Sequence, residues 1–395
     1  MSVTRMRRTG STPRLPERRR GTRVRYSLIA AVVCVVALAA CGGASSGSEG
    51  AKKYVFKFSS AQPPTTGLSR QAAAFLDDIE KKTDGRVTFK RYWSSSLLGS
   101  TDSAAGIGDG RVDIGYVASA YEPGRFPLWE VGFVSVPNTD MIGLVRAQRE
   151  MFENSAEWRT EFDKIGTGIK PMIALGISSV TSVGTKQRLN TVEDLDGMSV
   201  RFIGSIAAGV KAVGINPVSI AVEEVYESLE RGVIDGVGGY ALDSYTGQRL
   251  EEVAPWVNYL PVGNYASSAA VFMNKQAWES LPDDLQKVVN HAVEQHYSTL
   301  PTVLTKSEEA ACDALLKAGG GASVLRGDTP AGQKLNGEEV NAAIFQVWRD
   351  SATKAGATKE AIAAVEAQYV SAGQKNSPSP DYTPGGELCA KRSDG

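Results

Sequence analysis

The sequence is poor in the residues and motifs that carry most enzyme chemistry. Only two histidines occur in 395 residues, and His291 and His296 stand five apart, on different faces of one predicted helix. This spacing suits neither a shared metal nor a catalytic triad, so we expect both to lie on the helix surface. The signatures H-E-x-x-H and G-x-x-x-x-G-K-[ST] are also missing. We therefore expect a protein that is not an enzyme and that has no metal and no cofactor.

The body of the chain also lacks a surplus of basic residues. Residues 1–40 contain nine arginines and one acid, which gives this leader a charge of +8. Because the whole chain has a formal charge of −1, the remaining 355 residues carry −9. Phosphate binding requires an excess of Lys and Arg on one face, so we expect no nucleic-acid partner for this acidic body.

The apolar run of the leader, residues 26–40, is shorter than the roughly 20 residues of a transmembrane helix. After a cluster of arginines it is typical of an export signal, with a signal anchor as the alternative. The segment Leu38-Ala39-Ala40-Cys41 resembles the lipobox of bacterial lipoproteins. We predict a signal peptide at 1–40, lipidation of Cys41 and a flexible tether at 41–51, so that the exported body is lipid-anchored on the outer face of the cytoplasmic membrane. The general secretory and twin-arginine routes both remain open.

Cysteine is scarce, with four in the chain. Cys34 leaves with the signal and Cys41 takes lipid, so the exported body keeps Cys312 and Cys389. An oxidising exterior favours a disulfide between them. Two separate thiols are the alternative, because pairing needs Cα atoms within roughly 7 Å. A disulfide would pin the predicted C-terminal tail, residues 377–395.

Alternating strand and helix patterns predict an α/β fold. Residues 54–58 alternate as a strand, residues 68–82 have the apolar spacing of an amphipathic helix, and residues 87–93 form the next strand pattern. Such a βαβ unit implies a parallel sheet covered by helices. Further along, residues 281–300 have the length of a connecting helix.

Two regions of the sequence contain candidate residues for a ligand cleft. Ligands of open α/β sheets bind at the carboxyl ends of strands. Tyr116 lies at the end of the strand predicted at 112–117, and Tyr121 lies at the end of the segment 118–121 that follows it. Surface tyrosines are the alternative. Arg201 lies in a short apolar strand, 198–202, so its guanidinium points either to water or into a cleft against an anion. Its fork of donors suits a carboxylate.

Seven ordered segments of the body resemble one known family. The resemblance is to the DctP-type solute receptors of tripartite ATP-independent periplasmic (TRAP) transporters, and it extends over residues 52–350. Each segment is a weak signal alone, and the order of all seven is specific. They are residues 84–87, 96–99, 110–114, 191–197 with Arg201, 214–218, 224–236 and 281–289.

The resemblance implies a bilobal α/β fold like that of periplasmic binding proteins, with a cleft between the lobes and a long connecting helix. The implied lobes are residues 52–175 with 264–304, and residues 176–263 with 305–376. The implied function is capture of a small organic acid and its delivery to the small and large membrane subunits of a TRAP transporter. A ligand sensor for a signalling partner and an exported enzyme on the same scaffold are the alternatives.

The resemblance also bears on the ligand. Arg201 stands where that family has the arginine that pairs with the ligand carboxylate. The preceding strand offers Ser178, Ser179, Thr181 and Ser182 but no second arginine. One cation among aromatic side chains predicts a monocarboxylate with an apolar or aromatic body. The predicted ligand-binding residues are Trp93, Tyr116, Tyr121, Thr181, Arg201, Gly239 and Tyr240.

Overall fold

The computed structural model describes residues 52–122, 124–134, 136, 139–177, 182–260, 268–335, 337–379, 382 and 385–393. The predicted signal peptide, Cys41 and the tether lie outside the described residues. Residues 51–395 form one compact unit that contains two mixed sheets and many helices, which confirms the predicted α/β bilobal fold class.

Eleven strands are present in the described part of the chain. They are β1 (Tyr54–Ser59), β2 (Val87–Tyr92), β3 (Ile114–Ala118), β4 (Ile169–Ala174), β5 (Ser182–Thr185), β6 (Ser199–Arg201), β7 (Asn216–Val218), β8 (Gly236–Gly238), β9 (Trp256–Tyr259), β10 (Ala269–Asn274) and β11 (Gly321–Val324). The first sheet has the order β2-β1-β3-β10-β4, and the second has the order β11-β9-β5-β8-β6-β7.

Helices pack on both sheets. Those in the described residues are α1 (Gly67–Lys82), α2 (Ser103–Gly108), α3 (Met141–Asn154), α4 (Ala156–Asp163), α5 (Ile206–Lys211), α6 (Val225–Glu230), α7 (Leu242–Gly247), α8 (Lys275–Glu279), α9 (Asp283–Lys317), α10 (Pro330–Leu335), α11 (Glu338–Lys354), α12 (Lys359–Lys375) and α13 (Gly385–Ser393). Short 3-10 helices lie at Ser119–Tyr121, Trp129–Phe133, Val192–Leu195, Val222–Glu224 and Leu250–Glu252.

The first strand, helix and strand form the predicted βαβ unit, in which β1 pairs in parallel with β2. The helix between them, α1, begins after Thr66, whose side-chain oxygen accepts a hydrogen bond from the Ser69 N–H. Its buried face contains Phe75, Leu76 and Ile79. Each such side chain contributes roughly 1.5–3 kcal/mol when fully buried, so this face holds α1 on the sheet.

The chain crosses between the two sheets three times: from β4 to β5, from β9 to β10, and along α9 to β11. Every strand of each sheet falls within one of the two predicted lobes. The helix α12, predicted with the second lobe, instead packs against α3 beside the first sheet. The lobe boundaries themselves stay a prediction.

The connecting helix α9 is 35 residues long and continues through Pro301, past the predicted end at residue 300. The surface position expected for both histidines on this helix is wrong for one of them. His291 is exposed, but the Nε2 atom of His296 lies 2.9 Å from the Ala174 carbonyl oxygen at the end of β4. Burial lowers the pKa of His296 to about 4, although this hydrogen bond opposes the shift.

A disulfide joins Cys312 of α9 to Cys389 of α13, with Cα atoms 5.5 Å apart. Of the two alternatives from the sequence, the structure therefore has the bonded one. Part of the predicted tail forms the helix α13. This helix packs against both α9 and β11. The bond thus fastens α13 to α9, and the packing of α13 against β11 holds the same helix beside the second sheet.

Candidate functional site

Arg201 ends β6, a strand that lies inside the second sheet between β8 and β7. Its side chain is 1% exposed. The Nη2 atom donates to the Tyr121 hydroxyl at 2.8 Å, Nε donates to the Ile220 carbonyl at 3.3 Å, and Nη1 donates to the Gly238 carbonyl at 3.5 Å. Tyr121 follows β3 of the first sheet, so the guanidinium bridges the two walls of the cleft.

The charge of Arg201 has no opposite charge beside it. Among the described residues, no carboxylate oxygen lies within 4.0 Å of its guanidinium nitrogens, and its three hydrogen-bond partners are all uncharged. An arginine side chain stays protonated in proteins, and a buried charge is costly unless it is paired. The cleft therefore contains a fixed cation that an incoming anion can neutralise.

Tyrosine rings surround this cation. The guanidinium carbon lies 5.0 Å from the ring centroid of Tyr240 and 6.0 Å from that of Tyr121. Burial raises the pKa of both Tyr116 and Tyr240 above its usual range, so their hydroxyls stay protonated. No donor or acceptor of the described residues is in full hydrogen-bond geometry with the buried Tyr240 hydroxyl oxygen, although the nearby Gln248 side chain acts to lower its pKa. Neutral hydroxyl donors next to a cation suit a carboxylate.

Two glycines at this wall are required by the structure, one by close packing and the other by its backbone conformation. A Cβ atom at Gly238 would lie 2.1 Å from the Phe202 ring, so the strand β8 has no room for a side chain there. Gly239 has a φ of +80°, a conformation that other residues rarely adopt. This turn directly after β8 brings Tyr240 over Arg201.

These residues enclose a cavity of about 50 Å³ between the two walls. Five of the seven predicted ligand-binding residues line it, namely Tyr116, Tyr121, Arg201, Gly239 and Tyr240. The lining residues that the sequence did not single out are Gln62, Leu68, Ala118, Phe133, Ile177, Ile203, Ala241, Ser244 and Gln248. Gln62 follows the carboxyl end of β1, and the same strand-end rule that indicated Tyr116 could have found it.

Two predicted ligand contacts are not at this cavity. Trp93 follows β2, the edge strand of the first sheet, and its ring packs against Phe58 with centroids 4.9 Å apart. Trp93 is not among the residues that line the cavity around Arg201, so its predicted role in ligand binding stays a prediction. Thr181 lies outside the described residues, so its predicted role stays a prediction.

The described residues contain no group of three or more His, Cys, Asp or Glu side chains that could hold a metal ion. The cavity instead combines a buried guanidinium, neutral phenols and apolar walls, groups that are chemically suited to a small organic anion.

Comparison with known proteins gives the family. Residues 58–337 match the family described as bacterial extracellular solute-binding protein, family 7, or DctP. The match covers more than half of the chain, so the chain belongs to this family, as its sequence segments predicted. It is a solute receptor of the TRAP type rather than an enzyme, and such receptors bind small organic acids and work with membrane permease subunits.

Two curated relatives cover most of the chain. The C4-dicarboxylate-binding periplasmic protein DctP of Rhodobacter capsulatus is 26% identical over 342 residues, which cover 80% of this chain and 91% of the relative. The monocarboxylate 2-oxoacid-binding periplasmic protein of Nostoc sp. is 22% identical over 80% of this chain and 84% of its own length.

Solved structures share the fold. A marine metagenome TRAP solute-binding protein specific for aromatic acid ligands, in complex with 3-hydroxybenzoate, has a TM-score of 0.69 at 22% identity and covers 83% of this chain and 100% of its own. A TRAP solute-binding protein of Rhodoferax ferrireducens with copurified benzoate has a TM-score of 0.67 at 19% identity, over 82% and 100% of the two chains.

Within the described residues, no helix combines the length and the apolar composition that a membrane crossing requires.

Proposed function

We propose that this receptor captures a small monocarboxylate with an apolar or aromatic body, and that Arg201 binds its carboxylate. The observation that carries this proposal is the buried guanidinium of Arg201, which faces the cavity and has no carboxylate within 4.0 Å among the described residues. A ligand carboxylate supplies the missing charge and can accept two parallel hydrogen bonds from the guanidinium.

The rest of the cavity favours a ligand with one charge. Arg201 is the one cationic side chain among the lining residues that the structure describes, so a second carboxylate would be buried without a cation. Leu68, Phe133 and Ile177 offer apolar surface, and the tyrosine rings offer faces for an aromatic body.

The similar proteins are named for three different classes of organic acid. The Rhodobacter relative is named for C4-dicarboxylates, the Nostoc relative for 2-oxo monocarboxylates, and the metagenome structure for aromatic acids. The single cation and the aromatic walls of this chain favour the second and third of these classes over the first.

Capture follows from two-lobe closure. We propose residues 52–175 with 264–304 as the first lobe and residues 176–263 with 305–376 as the second. Ligand enters the open cleft and binds both walls, and this differential affinity shifts the population to the closed state. The membrane subunits then receive the ligand from the closed receptor.

Lipidation of Cys41 would keep the receptor beside those membrane subunits. The support is the lipobox-like segment that ends at Cys41 and the short apolar run before it. Mass spectrometry of the amino-terminal peptide from the membrane fraction should find a lipid-modified Cys41, and Cys41→Ser should release the body from membranes. An unmodified mature terminus elsewhere would contradict the anchor.

Calorimetry with a ligand panel tests the ligand class. The panel contains benzoate, 3-hydroxybenzoate, a branched 2-oxo monocarboxylate, succinate and sialic acid, and mass spectrometry identifies any copurified molecule. We expect at least one monocarboxylate to bind roughly 100-fold more tightly than succinate, since the second charge of succinate finds no cation. Tight binding of succinate or sialic acid without binding of any monocarboxylate would contradict the proposal.

A further inference from the structure

A second contact joins the two walls of the cleft, away from Arg201. One carboxylate oxygen of Glu223, Oε1, accepts hydrogen bonds from the Ser95 hydroxyl at 2.8 Å and from the Ser100 N–H at 3.0 Å. The other oxygen, Oε2, accepts from the Ser100 hydroxyl at 3.0 Å. Glu223 thus receives three hydrogen bonds from one serine-containing loop, residues 94–100.

The topology places this contact at one side of the cleft. The loop 94–100 follows β2, an edge strand of the first sheet, and the 3-10 helix Val222–Glu224 follows β7, an edge strand of the second sheet. Both segments leave the carboxyl ends of their strands, as do the residues around Arg201. Opening of the cleft would separate Glu223 from the loop.

The segment that carries Glu223 also touches Arg201. Three residues before Glu223, the carbonyl of Ile220 accepts the hydrogen bond from Arg201 Nε at 3.3 Å. At the start of this segment, the Val218 carbonyl accepts from the Phe202 N–H at 3.2 Å. The position of this segment therefore fixes one of the three acceptors that orient the guanidinium.

The charge state of Glu223 fits such a contact. Burial acts to raise the pKa of its carboxyl, but the hydrogen bonds, including those from Ser100 and Ser95, outweigh burial and lower it overall. The group is therefore ionised at neutral pH, and hydrogen bonds to an ionised acceptor are stronger than neutral ones.

From these contacts we infer that Glu223 is a positioning residue that holds the two lobes closed over the bound acid and keeps Ile220 in place against Arg201. This inference rests on the proposed function for the identity of the bound acid only. The contact itself joins only protein groups, so it does not depend on which organic acid occupies the cavity.

The test uses the full chain with Glu223→Ala, Glu223→Gln and the control Glu224→Ala. Glu224 is the adjacent acid, is exposed, and contributes no side-chain cap to α6. Stopped-flow fluorescence gives the dissociation rate of 3-hydroxybenzoate and of benzoate. Hydrogen–deuterium exchange gives the protection of residues 94–102 with and without 3-hydroxybenzoate.

We expect Glu223→Ala to release both probes about threefold to tenfold faster, because an exposed contact of this kind is modest in strength. The ratio of the two affinities should stay unchanged, since Glu223 acts on closure and not on ligand choice. Exchange in residues 94–102 should accelerate, Glu223→Gln should fall between wild type and Glu223→Ala, and Glu224→Ala should match wild type.

Wild-type dissociation rates and wild-type protection of residues 94–102 in Glu223→Ala would overturn the inference. If Glu223→Ala fails to fold, Ser95→Ala with Ser100→Ala removes the two hydroxyl donors from the other side and should give faster release as well. Failure of the proposed function is distinguishable, because succinate or sialic acid would then bind wild type tightly and no monocarboxylate in the panel would. The exchange of residues 94–102 in wild type and Glu223→Ala with that acid bound still reports the contact.

Discussion

The centre of the cleft and the interior of the first lobe each contain a buried ionisable side chain, and the two side chains have different kinds of hydrogen-bond partners. In the first lobe, the carboxyl group of Glu161 is 7% exposed and accepts hydrogen bonds from the N–H groups of Leu128 at 2.7 Å and Trp129 at 3.0 Å. In the cleft, the guanidinium of Arg201 has only two carbonyls and one phenol.

The difference separates a structural group from a binding group. Glu161 pairs with backbone N–H groups at the start of the 3-10 helix Trp129–Phe133, groups that no residue of that short helix can satisfy. Arg201 faces a cavity, and its neighbours supply no charge. A buried group whose partners are complete stabilises the fold, whereas one whose counter-charge is missing is available to a ligand.

The largest expected effect is on binding at Arg201. Arg201→Ala should raise the Kd of the bound monocarboxylate by about 30-fold or more, because loss of one partner of a buried charge pair costs roughly 2–5 kcal/mol. The thermal stability of the ligand-free protein should not fall by a similar amount, since the variant also removes an unneutralised buried charge. Calorimetry and thermal unfolding measure the two effects, and equal ligand affinity in the variant would rule out Arg201 as the clamp.

Glu161 should show the opposite pattern. Glu161→Ala leaves two backbone N–H groups without their acceptor, so the free energy of unfolding should fall by about 1–3 kcal/mol. Ligand affinity of the folded variant should be unchanged, because Glu161 does not line the cavity. Urea unfolding and calorimetry would check this, and a large change in Kd would break the contrast with Arg201.

The pH dependence of stability sharpens the same contrast. Burial raises the pKa of Glu161 to about 8, although the hydrogen bonds from Leu128 and Trp129 oppose it, whereas an unfolded Glu titrates near 4.3. Between these two pH values the folded state therefore binds more protons than the unfolded state. The contribution of Glu161 to stability is full below about pH 4.3 and decreases as the pH rises to about 8.

We therefore expect the unfolding free energy of wild type to decrease, relative to that of Glu161→Gln, by about 1–2 kcal/mol between roughly pH 6.5 and pH 8. Glutamine does not titrate, so the variant supplies the reference. Parallel pH profiles for the two proteins would show that Glu161 does not titrate in this range. Arg201 has no comparable effect, because it does not titrate in proteins.

The smallest expected effect is at Tyr121, the first-sheet partner of Arg201. Tyr121→Phe removes the hydroxyl that accepts from Nη2 but keeps the ring, so the Kd should rise about threefold to tenfold, the equivalent of one hydrogen bond. Tyr369→Phe is the matched control, because Tyr369 is buried in the core away from the cavity. A Kd for Tyr121→Phe as high as that for Arg201→Ala would mean that the phenol, rather than the cation, dominates binding.

The sequence predicted the parts of this molecule that local patterns determine. The strand β1, the helix α1 and their βαβ unit follow from apolar spacing, and the position of Arg201 followed from its place in a short apolar strand and from the family resemblance. Tyr116 and Tyr121 followed from the rule that ligands bind at strand ends.

The features that the sequence missed depend on tertiary contacts. The helix α9 continues past Pro301 because its later turns bury Leu304, Cys312 and Leu315, a gain that local propensity does not contain. Gln248 reaches the cavity from the segment after α7 and donates to Gln62 at 3.3 Å, a pairing across 186 residues. Trp93 was predicted as a ligand contact from the family resemblance, and only the sheet order shows that its strand, β2, is at the edge of the first sheet.

The most direct test of the central claim compares a carboxylate with its uncharged isostere in wild-type protein. Calorimetry at one pH and one salt concentration would measure the Kd of the monocarboxylate that binds most tightly in the panel and the Kd of its primary amide, which has nearly the same shape. If the guanidinium of Arg201 pairs with the ligand carboxylate, the amide binds roughly 100-fold more weakly or not at all. An amide that binds within about threefold of the acid would contradict the account.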